Sequence, residues 1–177
     1  MIPNIITLAR VALIPVFMGC MGAGWRVAAL VIFSVASATD FVDGFLARRM
    51  GQVTNFGKVI DPLADKLLVL TALIYFIRED SVAVWVAVVV LARELMVSAL
   101  RIVAASEGRV LAADLSGKVK TVTQIFCVIA ILTVWHRVEM FPSVAICDFA
   151  SWVMAAVTVW SGADYLVRHR KILKRSI

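Results

Sequence analysis

Four aspartates, Asp40, Asp43, Asp61 and Asp65, are spaced for shared chemistry. Asp40 and Asp43 are three residues apart, and Asp61 and Asp65 are four apart. On an α-helix, steps of that size stack side chains on one face. The first pair ends one apolar run and the second pair opens the next. The link between the runs is short, so the two helices are expected to be antiparallel neighbours whose facing ends gather the four carboxylates. Four clustered carboxylates repel one another and need compensating charge. Two divalent cations would supply it, and hard oxygen ligands suit magnesium or manganese. A pair of such ions suits displacement at phosphorus, where phosphate oxygens must be held and developing charge offset.

The residues around the aspartates fit a phosphate-bearing ligand. Gly44 and Ala47 remove bulk on or near the face of Asp40 and Asp43. Arg48 could hold a phosphate through its planar fork. Gly57 gives the connecting loop freedom to turn, and Pro62 suits the first turn of the following helix.

The elements that must position these groups are membrane helices. Of 177 residues, 62% are apolar and only 17% are charged, and the mean hydropathy is +0.95. Soluble domains are about 45–50% apolar, so the composition points to a bilayer solvent. A helix needs about 20 apolar residues to cross the hydrocarbon core. Six segments qualify, near 4–22, 26–48, 61–77, 82–105, 118–136 and 144–167. The expected fold is therefore an all-α integral membrane protein, a bundle of six transmembrane helices. Residues 1–177 are expected to form a single domain, because the spaces between spans are short.

Charge placement orients the bundle. The chain carries a net charge of +6. An even number of spans puts both termini on one side, and thirteen lysines and arginines fall there, among them Arg48, Lys58, Arg101, Lys118 and Arg175. The opposite side holds three, Arg26, Arg78 and Arg137. The richer side faces the cytoplasm by the positive-inside rule, and it is the side of the aspartates. Arg10 and Arg93 remain inside spans. Nucleic acid is not an expected partner, because the basic residues lie between apolar runs. Cys20, Cys127 and Cys147 lack metal or disulfide spacing and read as small apolar side chains. No signal or transit peptide is evident, which favours a bacterial plasma membrane. Trp25, Trp85 and Trp135 read as interface anchors. Ala36-Ser37-Ala38 and Ala155-Ala156 read as sites of close helix approach.

Two other readings of the aspartates are open. They could be solvated charges in the headgroup zone, but four at helical spacing argue against that. They could line an ion pathway, but they cluster at one membrane face and do not extend across it.

The pattern D-x2-D-G-x2-A-R-x8-G-x3-D-x3-D resembles the signature of the CDP-alcohol phosphotransferase family. All eight fixed positions are present: Asp40, Asp43, Gly44, Ala47, Arg48, Gly57, Asp61 and Asp65. Three outer stretches are similar to those of the bacterial members that use glycerol 3-phosphate as acceptor. They are Pro3-Asn4 with Thr7 and Arg10, then Arg93-Glu94 with Ser98 and Arg101, then Gly117-Lys118 with Lys120, Thr121 and Gln124. The resemblance implies that an alcohol attacks the β-phosphorus of CDP-diacylglycerol and that CMP leaves. It implies that all four aspartates hold the metals and that Asp65 is also the base. It implies that Asn4, Gly44, Arg48 and Thr54 contact the CDP-linked lipid, and that the protein is a homodimer. Other acceptors within the family, namely inositol phosphate, serine or a phospholipid, stay open, as does an aspartate-rich prenyltransferase.

Glycerol 3-phosphate is a dianion, so its site needs fixed positive charge. Arg93, Arg101, Lys118 and Lys120 are the candidates. Arg93 and Arg101 stand about 12 Å apart along one helix axis. The competing reading of Arg93 is an ion pair with Asp148 or Asp164, with Glu94 pointing elsewhere on the helix. For Lys118 and Lys120 it is positive-inside anchoring, and the run from Arg168 to Arg175 reads as headgroup anchoring.

Overall fold

A computed structural model describes residues 2–50, 55–106, 114–135 and 142–170, with side chains over 9–39, 66–106, 114–134 and 144–170. The described residues form six α-helices and no strand. They are α1 (Ile2–Gly22), α2 (Arg26–Met50), α3 (Asn55–Arg78), α4 (Val84–Ser106), α5 (Leu115–Trp135) and α6 (Pro142–Arg168). An apolar chain in an apolar solvent must satisfy its backbone internally, and helices do so within each segment.

Two tight turns set the end of the bundle away from the aspartates. After α1, Gly24 takes a left-handed φ of 74°. Its N–H donates to the carbonyl of Met21 at 3.2 Å, and the N–H of Trp25 donates to Cys20 at 2.8 Å. After α3, Asp80 takes the same conformation at φ 53°. Its N–H donates to Ile77 at 3.1 Å, and the N–H of Ser81 donates to Phe76 at 2.9 Å. Both are Schellman ends, which satisfy the last carbonyls of a helix and reverse the chain. Aspartate tolerates the left-handed region better than most side chains.

The core draws on all six helices, with Phe17, Phe33, Phe76, Val90, Ile131 and Met154 sealed inside it. The rings of Phe17 and Phe33 meet at 5.9 Å, joining α1 to α2. α2 packs on α3, as the short link between them led us to expect, and α6 packs on both α4 and α5. Of the small residues, Ala36 and Ala155 are buried at helix contacts, whereas Ala38 and Ala156 are exposed. The three cysteines are free and buried.

The outer surface is also apolar. Val31, Ile74, Leu95, Phe126, Phe149 and Trp152 all stand exposed. A water-soluble bundle would place polar groups there. Trp25 and Trp85 are exposed near helix ends, as interface anchors would be. Among the described residues, two stretches are long and apolar enough to cross a membrane, Leu115–Val134 and Val144–Arg168.

The helix limits follow the expected segments closely except at α3. That helix starts at Asn55, whereas the apolar run starts at residue 61. Asp61 and Asp65 therefore lie within α3 and not at its opening, and Pro62 is interior and not in the first turn. Likewise α2 continues to Met50, beyond Asp40 and Asp43. Apolarity marks the part of a helix in hydrocarbon, while backbone hydrogen bonding carries the helix on into polar sequence.

Candidate active site

The backbone places the aspartates on two packed helices. Asp40, Asp43, Gly44 and Arg48 belong to α2, Asp61 and Asp65 to α3, and Asn4 to the first turn of α1. The side chains of these residues, and the whole of Thr54, lie outside the described residues. The donor set itself fits a divalent ion: four carboxylates in helical register on neighbouring helices, with hard oxygens only. Among the described residues no second group of His, Cys, Asp or Glu could hold a metal.

Immediately after Asp65 the described side chains form a charged group. It centres on Glu94. The inward face of α4 runs Val86, Val90, Glu94, Val97, Leu100 and Ala104, and Glu94 is its one charge. Lys120, buried on α5, donates to Glu94 Oε1. The Arg93 guanidinium lies 3.4 Å from the same oxygen. Lys66 of α3 places its ammonium 3.6 Å from Glu94 Oε2 and donates to Ser98 Oγ at 2.6 Å. Arg93 also donates to Ser161 Oγ of α6 at 2.8 Å. The carboxylate thus ties α3, α4 and α5 together, and Arg93 extends the link to α6.

Glycine makes room for this arrangement. A methyl group at Gly162 would stand 3.3 Å from Arg93 Cγ and 3.4 Å from Met96 Cε. The first is slightly tighter than ordinary van der Waals contact, so the bare backbone leaves the Arg93 side chain its place between α6 and α4.

Among the described side chains, three cations about one carboxylate leave an excess of positive charge in a largely dry setting. Charges taken from water cost several kcal/mol each unless paired. Glu94 relieves part of that cost. The remainder suits an anionic ligand.

The four basic candidates for the acceptor therefore divide. Arg93 and Lys120 lie within the Glu94 group. Lys120 is buried. Arg101 and Lys118 are exposed, at the end of α4 and the start of α5. The Arg101 guanidinium sits 5.9 Å from the centre of the Tyr165 ring, within cation–π reach. The alternative pairing of Arg93 with Asp148 or Asp164 is corrected: its acid is Glu94. Residues one apart on a helix diverge at Cβ, but a long guanidinium confined by burial swings back to its neighbour. Asp164 instead accepts from Arg168 at 2.8 Å, which binds one member of the basic C-terminal run to its own helix.

Lys66 and Ser161 were not singled out by sequence reasoning. Lys66 looked like one more cytoplasmic charge. Glu94 appeared only as a member of a motif. Its spacing of eight, four and three residues from Val86, Val90 and Val97 was the available signal that it points inward.

Comparison with known proteins agrees with this architecture. Residues 1–161 match the family model described as CDP-alcohol phosphatidyltransferase. The chain is 43% identical to a CDP-diacylglycerol–glycerol-3-phosphate 3-phosphatidyltransferase of Bacillus subtilis, covering 99% of this chain and 98% of that one. Proteins of the same description from Sodalis glossinidius and Escherichia coli are 37% and 40% identical, over 96% and 93% of this chain and 94% and 92% of theirs. The aspartate signature, the helical architecture and the full-length similarity together show that the chain belongs to the CDP-alcohol phosphatidyltransferase family.

Proposed function

We propose that this protein transfers the phosphatidyl group of CDP-diacylglycerol to sn-glycerol 3-phosphate, giving phosphatidylglycerophosphate and CMP. The observation that carries the reading is the juxtaposition on α3: a four-aspartate signature shared with α2, followed at once by a buried cationic group. The first suits a pyrophosphate-linked donor and the second a phosphorylated acceptor. The relatives' shared description supports the same pair of substrates.

In this reading the acceptor hydroxyl gives its proton to Asp65 as its oxygen bonds to the β-phosphorus. The bond from that phosphorus to the CMP oxygen breaks, and CMP departs with the electron pair. Asp40, Asp43, Asp61 and Asp65 would hold two magnesium or manganese ions, which offset the charge on the phosphate oxygens when bound. Asn4, Gly44, Arg48 and Thr54 would hold the CDP-linked lipid. The whole chain, 1–177, would act as one domain with six spans in the bacterial inner membrane. Both termini and the active site would face the cytoplasm, as the lysine and arginine bias favours, and the protein would work as a homodimer.

The acceptor is tested with membranes containing the protein, CDP-diacylglycerol and one labelled alcohol at a time. Lipid product is expected with glycerol 3-phosphate, and the label should stay in water with serine or inositol phosphate. Product with another alcohol, and none with glycerol 3-phosphate, would refute the acceptor assignment. Arg101→Ala or Lys118→Ala should raise the acceptor KM about tenfold or more, the value of a charged hydrogen bond. The KM for the lipid should barely change. Equal changes in both would mark these residues as structural.

A further inference from the structure

We infer that Lys66 contacts the phosphate of the acceptor and that Glu94 is the positioning residue that presents it. The inference rests on the acceptor proposed above and deepens it, since neither residue belongs to the basic set the sequence singles out.

Accessibility separates the three cations around Glu94. The side chain of Lys66 is 33% exposed, against 10% for Arg93 and 7% for Lys120. An ammonium has three donors. That of Lys66 spends one on Ser98 Oγ at 2.6 Å. Its 3.6 Å approach to Glu94 is electrostatic, beyond good hydrogen-bond length. Among the described residues, at least one donor is thus free for a ligand. By contrast, Lys120 is buried and committed to Glu94, and Arg93 is divided between Glu94 and Ser161, with its remaining Nε donor buried away from a ligand.

Glu94 makes this presentation possible. Without its charge, three cations gathered from α3, α4 and α5 would repel and move apart. With it, Lys66 is held from one side by the carboxylate and from the other by the Ser98 hydroxyl. The excess positive charge that remains favours a dianion over a neutral alcohol. Lys66 directly follows Asp65 on α3. An acceptor whose phosphate meets Lys66 therefore lies beside the turn of α3 that carries the proposed base. This is orientation of the kind that lowers a barrier without new chemistry.

The test uses the full-length protein in detergent micelles with CDP-diacylglycerol and glycerol 3-phosphate. Lys66→Met should raise the acceptor KM tenfold or more and lower kcat as orientation is lost, with the KM for the lipid nearly unchanged. Competitive inhibition by inorganic phosphate should weaken in parallel. Glu94→Gln, which keeps shape and removes charge, should also raise the acceptor KM. In acceptor KM the double variant should fall well short of the product of the two single effects, because Glu94 acts on the acceptor largely through Lys66. Lys66→Arg should recover part of the loss. An unchanged acceptor KM in Lys66→Met would overturn the inference, as would equal losses in both substrates or multiplying effects in the double variant. If Glu94→Gln does not fold, Lys66→Met and its arginine rescue decide the matter. The reading beneath fails differently, since the unmutated protein would then make no product from glycerol 3-phosphate.

Discussion

Asp65→Asn is expected to lower kcat by about a thousandfold or more, the scale of a lost general base. Asparagine keeps the size of the side chain and one carbonyl oxygen, but it cannot take a proton near neutral pH. The neighbouring Asp61, one helical step earlier on α3, and Asp40 and Asp43 on α2 remain. Binding of CDP-diacylglycerol should therefore survive in large part. The measurement is a pair: turnover at saturating substrates, and direct binding of the CDP-lipid. Near-normal turnover would move the base elsewhere. Loss of binding together with turnover would mark Asp65 as a ligand first and a base second.

Removal of divalent cations should have an effect of similar size. CMP is a poor leaving group until the charge on its phosphate is offset, and four carboxylates alone would repel the pyrophosphate. Chelation should therefore suppress turnover about a hundredfold or more, the scale of a lost electrostatic stabiliser. Magnesium or manganese should restore it. Calcium should restore little, because it is larger and looser in its geometry. Asp61→Asn should raise the magnesium concentration needed for half-maximal activity. Full activity in excess chelator would remove the metal from the mechanism.

Much of this was legible in the chain, and the residues show why. The ends of α1 and α6 follow the apolar runs, because Gly24 and the polar breaks punctuate them. The start of α3 was not legible, because residues 55–60 are not apolar and helix formation does not require them to be. The aspartate signature was legible because its spacing is rigid and its chemistry narrow. The Glu94 group was legible only in parts. Arg93 and Lys120 stood out as charges in or beside spans. That one carboxylate would gather them with Lys66, from three different helices, depends on tertiary packing. Ser161 and Gly162 on α6 shape the same place through a hydroxyl and an absent methyl. Neither feature has a sequence signal of its own.

The most direct test of the phosphatidyl transfer is the stoichiometry of its two products. Purified protein with magnesium, CDP-diacylglycerol and glycerol 3-phosphate should release CMP and form phosphatidylglycerophosphate in equal amounts, with neither appearing when the acceptor is withheld. CMP released without lipid product, or cation flux into proteoliposomes with no CMP at all, would contradict it.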